Sequence, residues 1–161
     1  MAEHAHLQTL FAYHWDTTER LIAKAEALSA EEYMAHPGVG HGSLHALFFH
    51  VLRADSNWRQ LLATGQPPVS PVATDFPTLA AIRAGFAEER QAWDLLLESL
   101  DEAQIDAAVQ VVDRDGDVSD LPRWNALFHV LFHGMQHHAE LAQLLTAKGQ
   151  SPGDIDLIFY L

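Results

Sequence analysis

Between Leu121 and Lys148 the chain reads LPRWNALFHVLFHGMQHHAELAQLLTAK, and four histidines fall inside it: His129, His133, His137 and His138. On a helix, residues four apart share a face, so His129, His133 and His137 form a stripe. Glu140, seven residues after His133, lies about 20° off that line at about 100° per residue. His138 points elsewhere. A column of imidazoles ending in a carboxylate is costly to bury without a partner, and a divalent metal is the partner this pattern suggests. Two histidines at i and i+4 aim ring nitrogens at one point beside the helix, the geometry of paired zinc ligands. The same spacing also arises from two hydrogen-bonded core histidines. The pair is ambiguous as well, because 129/133 and 133/137 both qualify.

A third donor from another helix sharpens the case, and His50 is the candidate. It lies about 10 Å along its helix from Ser43, at about 1.5 Å per residue. His133 and His137 lie about 16 to 22 Å along theirs. All three therefore sit near mid-helix and can meet at one level, whichever way the two helices run. Three neutral imidazoles with one open position match a catalytic rather than a structural metal site, where a water would become a nucleophile near neutral pH.

The elements that must position these residues are helices. Pro122 suits a first helical turn and Gly149 the residue just past a helix end, leaving about 27 residues, or about 40 Å, of helix between them. Leu7, Leu10, Phe11, His14, Thr18, Leu21, Ile22, Ala25 and Leu28 recur at helical spacing and predict a first helix over 3–28. Ser29 opens a capping box, SAEE, with a short turn expected over 30–35 before HPGVGHG breaks the chain. Ser43 caps a second helix running to about Ala63, with His50 inside its apolar pattern and His45 about 140° away. GQPPVSPVATDFP, from Gly65 to Pro77, is long enough for a crossover between parallel helices. A third helix runs from Pro77 or Thr78 to about Leu100, and Gly85 inside it implies close packing. Residues 101–120 read as mostly non-helical, with a strand at Val109–Val112, a turn at Asp115-Gly116 and a return at Asp117–Asp120. The apolar tail, from Ile155 to Leu161, is expected to pack on the bundle or on a partner chain. The expectation is an all-α fold: one domain over 1–161, a four-helix bundle with long connections and a small hairpin appendage before the last helix.

Composition narrows the function. The 22 acidic residues against 9 basic ones give a formal net charge of −13, which would repel nucleic-acid phosphates. Cysteine is absent, so a metal must be held by His, Asp, Glu and water. The N-terminus lacks the basic-then-apolar pattern of a secretory signal, and no apolar run is long enough to span a membrane, so a soluble, cytoplasmic protein is expected. There is no internal repeat and no low-complexity tract.

SLHALFFHVLRAD followed by LFHVLFHGMQHHAELAQLL resembles the DinB family of metal-binding bundles. That family carries one His in the second helix, in a segment similar to S-x6-H-x4-[ED], and two more in the fourth, similar to H-V-x-x-H-x3-H-R-G-Q. The resemblance extends over essentially the whole chain, through DFPTLAAIRAGFAEER, the Asp-Gly hairpin and the DLIFYL ending. It implies His50, His133 and His137 as ligands, with His129 left out. The chain departs from the pattern where Arg-Gly-Gln becomes His138-Ala139-Glu140 and where an Asn becomes Phe132. Glu140 then reads either as a group orienting a ligand or bound water, or as a solvated carboxylate.

His129 is expected in the pocket or behind the ligands, and His14 as a core histidine near the site. Asp55 and Asp16 read equally as partners of a ligand's second nitrogen or as surface groups. His4, His6, His36 and His41 look solvated, and Trp15, Trp58, Trp93 and Trp124 look like packing. The resemblance implies a metal-dependent enzyme: family members include thiol-dependent transferases and isomerases, and others carry only a provisional description as hydrolases. Its substrate would be a small molecule, with a low-molecular-weight thiol as cosubstrate in the transferase case. Zinc is the default ion and nickel the second choice. A homodimer is expected. The alternative is a non-enzymatic metal-binding or stress-response bundle, and a plain dimeric bundle that binds no metal is the third reading.

Overall fold

Side-chain caps set most helix starts. The Ser43 hydroxyl accepts from the Ala46 N–H, and the Thr78 hydroxyl from the Ala81 N–H; each satisfies a backbone donor that the first helical turn leaves unpaired. The computed structural model describes residues 2–36, 38 and 42–160. Its helices are α1 (Ala2–Ala25), α2 (Ala30–Met34), α3 (Leu44–Thr64), α4 (Leu79–Ser99), α5 (Glu102–Asp106) and α6 (Arg123–Ala147). Two strands, β1 (Ala108–Val112) and β2 (Val118–Pro122), form an antiparallel hairpin. Single 3-10 turns occupy Ala73–Asp75 and Leu157–Phe159.

The long helices α1, α3, α4 and α6 make a four-helix bundle, with α1 against α4 and α6, and α3 against the same two. Cross-helix pairs set the directions. Arg59 meets Glu89, and a Cβ on Gly85 would meet Leu52, so α3 and α4 run parallel. Thr18 meets His138 and Tyr13 meets Met135, so α1 and α6 run parallel too. His4 bonds the Leu97 carbonyl while Arg90 pairs with Asp16, so α1 and α4 are antiparallel. Neighbouring parallel helices cannot be joined by a tight turn, which is why 65–78 forms a long crossover.

The core follows the expected stripes: Phe11, Leu21, Ile22, Phe48, Leu52, Ile82, Trp93, Leu97, Leu127 and Leu141 are buried. Gly85 is small by necessity, since a Cβ there would lie 2.6 Å from Phe76 and 2.8 Å from Leu52. No described helix is long and apolar enough to cross a membrane.

Several boundaries differ from expectation. α1 stops at Ala25, and Leu28 instead closes a tight turn on the Ala25 carbonyl ahead of the Ser29–Glu32 capping box. Pro122 ends β2, paired with Ala108, and precedes α6 rather than sitting in its first turn. Residues 102–106 are helical, because Asp101 and Gln104 form a second capping box. The β2 return runs over Val118–Pro122, one residue later than read at its start and two at its end. The tail does fold back: Arg20 bonds the Asp154 carbonyl at 2.7 Å, Tyr160 donates to Asp16 at 2.6 Å, and Tyr13 donates to the Ile155 carbonyl. Ile158 and Phe159 nonetheless stay exposed.

Candidate metal centre

His50, in the second turn of α3, faces α6 across an antiparallel contact. His133 and His137 sit one turn apart on α6 and face back. The His133 Nε2 lies 3.1 Å from the His50 Nε2 and 3.1 Å from the His137 Nε2. One donor nitrogen from each ring lies within 4.8 Å of the others, and this is the single such group found among the described residues. Bonds of about 2.0–2.1 Å at tetrahedral angles would put ligand nitrogens about 3.3 Å apart. Two of the three separations lie close to that value and the third is within 4.8 Å, so the group is compact enough to share one cation.

Protonation suits the same role. Burial, and then the neighbouring imidazoles of His137 and His50, lower the His133 pKa from 6.5 to about 4. At neutral pH that ring is uncharged and keeps a lone pair. The His133 Nδ1 is buried with no hydrogen-bond partner among the described residues. Glu140 accepts from the His137 Nδ1 at 2.8 Å. That bond fixes the tautomer and turns the Nε2 lone pair toward the shared centre. Of the two readings of Glu140, the orienting one matches the geometry: its carboxylate holds a ring nitrogen and lies outside the converging group. His137 is buried, while His50 and His133 are half-buried, so two of the three rings reach partly toward solvent.

The remaining candidates separate cleanly. His129 is exposed, packs its ring 4.9 Å from that of Trp58, and does not join the converging group. His45 faces away and bonds the Tyr33 hydroxyl at 3.2 Å. His14 is buried, and its Nε2 lies 3.1 Å from the Asp55 Oδ2. Asp55, read as equally a surface group, is only 1% exposed, and burial raises its pKa. Asp16 is the surface group, pairing with Arg90 at 2.7 Å. His4, read as solvated, bonds the Leu97 carbonyl at 2.8 Å. His36 accepts from the Gly38 N–H, and His41 lies outside the described residues. Trp124 is exposed, whereas Trp15 and Trp93 are core.

Sequence reasoning missed one feature. His138 is buried, stacks on His14 with ring centroids 4.9 Å apart, and meets the Thr18 hydroxyl at 2.8 Å. A signal existed for the Asp55 end of this network. Asp55 stands four residues after Val51 and three after Leu52, on the buried face of α3.

The DinB family model matches residues 1–161. Among solved structures, YfiT from Bacillus subtilis, described as a probable metal-dependent hydrolase with an unusual four-helix bundle topology, aligns with a TM-score of 0.66 at 16% identity, covering 90% of this chain and 89% of that one. A DinB-like protein, YjoA, also from Bacillus subtilis, aligns with a TM-score of 0.63 at 17% identity, covering 88% and 93%. A search of curated proteins finds no match.

Proposed function

The chain belongs to the DinB family, and from that premise we propose that it is a divalent-metal-dependent enzyme of the hydrolase type, with His50, His133 and His137 as the ligands. The observation that carries this is the meeting of three Nε2 atoms from two helices within one coordination sphere. Similarity to YfiT supports the reaction class. When bound, the ion supplies Lewis acidity at the side the three imidazoles leave open.

The chain's own residues prepare that chemistry. His133 stays neutral because its surroundings disfavour the proton. Glu140 holds the His137 ring in the ligating tautomer. His50 and His133 leave the open side partly exposed, where a small substrate can approach. Neither His129 nor Glu140 joins the converging group, which argues against a closed, purely structural site and so against the non-enzymatic alternative.

The lack of cysteine fits, without requiring, a second reaction class at the same centre. A low-molecular-weight thiol brought as cosubstrate would supply the soft donor that the chain cannot, giving thiol-dependent transfer instead of hydrolysis. Zinc is the expected ion, nickel the next, and the working form a homodimer. Elemental analysis of protein purified without a metal column tests the reading. One equivalent of zinc or nickel per chain is expected, with loss in His50→Ala, His133→Ala and His137→Ala. Metal-free protein that takes up none of these ions would overturn it. Ester, amide and thiol-transfer panels then separate the two reaction classes, and light scattering tests the dimer.

A further inference from the structure

Beside the three histidines lies a buried polar assembly in which all four long helices meet. Asp55 projects from α3, five residues past His50, and its Oδ2 meets the His14 Nε2 at 3.1 Å. Its backbone carbonyl accepts from the Trp93 indole of α4 at 3.2 Å. His14, from α1, is 2% exposed and Asp55 1%. The His14 ring lies directly on Gly134 of α6: a Cβ built there would collide with the His14 Cε1 and Nδ1. Gly134 sits between the two α6 histidines of the candidate centre, directly after His133. One turn along α6 the same ring stacks on His138, whose Nε2 meets the Thr18 hydroxyl.

We propose that Asp55 and His14 are positioning residues for the metal centre. The carboxylate of one ligand-bearing helix fixes the His14 ring, and that ring, seated on Gly134, sets the height and rotation of the α6 turn that carries His133 and His137 against His50. This rests on the three-histidine reading given above. The physical need is plain. A ligand set drawn from two helices stays within a coordination sphere only if something holds the helices in register, and packed, hydrogen-bonded side chains do that. A carboxylate buried this deeply with one ring as its hydrogen-bonding partner is costly unless that contact is kept. Glycine at 134 is what lets the ring approach the α6 backbone.

The test measures zinc affinity by competition with a chromophoric chelator, cobalt(II) visible spectra for ligand geometry, and thermal midpoints of the metal-free chains. Asp55→Leu keeps roughly the volume and removes the oxygen that holds the His14 ring. Zinc binding is expected to weaken roughly ten-fold, at the low end of what partners of ligands contribute, with altered cobalt(II) bands. Gly134→Ala is expected to weaken zinc binding by pushing on the ring. His14→Ala alone is expected to weaken zinc binding too, and combined with Gly134→Ala, where the collision is gone, to cost less than the sum of the two single losses. A purely structural role would shift the thermal midpoints and leave the zinc constants and cobalt(II) bands as in the wild type, and that result overturns the inference. Should Asp55→Leu fail to fold, the His14 and Gly134 variants decide, additive losses overturning the inference and a sub-additive loss upholding it. Wild-type chain that binds no zinc or cobalt(II) would overturn the metal reading itself, whereas normal binding in every variant would overturn the positioning role alone.

Discussion

Glu140 offers the sharpest single perturbation, because its role can be separated from charge and from folding. Its Oε2 lies 2.8 Å from the His137 Nδ1, a charge-assisted contact. Such bonds contribute about 1.5–3 kcal/mol when shielded from water. The Glu140 side chain is 38% exposed, and screening should reduce that to about 1–1.5 kcal/mol. At about 1.4 kcal/mol per decade, Glu140→Ala should weaken zinc binding roughly ten-fold. Glu140→Gln keeps an acceptor oxygen at the same reach, so it should hold the tautomer and stay within about three-fold of the wild type. The assay is chelator competition at fixed pH and ionic strength, beside a urea titration of the metal-free chains, in which both variants should differ little from the wild type. Equal zinc constants for Glu140→Ala and the wild type would refute the reasoning, as would a Glu140→Gln loss as large as that of Glu140→Ala.

Three other outcomes are expected. The folded chain holds the His133 pKa at about 4 against an ordinary 6.5, so between these values the unfolded chain binds a proton that the folded chain excludes. Metal-free stability should therefore fall as pH drops from about 6.5 to about 4, steepened by His138, whose pKa burial also lowers; urea midpoints across that window check it, and a flat profile would count against it. Gly85→Ala should cost about 1–3 kcal/mol in a urea titration, since its Cβ would press on Phe76 and Leu52. His129→Ala should leave zinc stoichiometry unchanged by elemental analysis, because His129 is exposed and stands outside the converging group.

The long helices were legible because their signals are local. Ser43, Thr78 and Gly149 mark ends through caps and a positive φ, 77° at Gly149. The stripes through Phe11, Phe48, Trp93 and Leu127 mark inner faces. The small helix at 102–106 went unread although Asp101-x-x-Gln104 is a capping box, because five residues carry too little periodicity to register. That His50 could meet α6 histidines was foreseeable from their expected places near mid-helix, but the choice of His133 and His137 over His129 came from the family resemblance, not from spacing. The surroundings of His14 were not foreseeable. Spacing places Asp55 on the buried face of α3, but which ring meets it there depends on the helix packed alongside, and helical spacing says nothing about neighbours. His138 illustrates the same limit: its angle could be read, but not the stacking ring waiting there.

The two histidine-bearing elements of the candidate centre are far apart along the chain, 83 positions between His50 and His133. Closing a loop of that length costs entropy before any contact rewards it, so the imidazoles are expected to come together late in folding. Chelation is then a late event, available only after the crossover segments have laid parallel partners side by side. An ion captured there would act as a latch on the finished topology rather than as a seed for it, and its off-rate would report how often α3 and α6 part company.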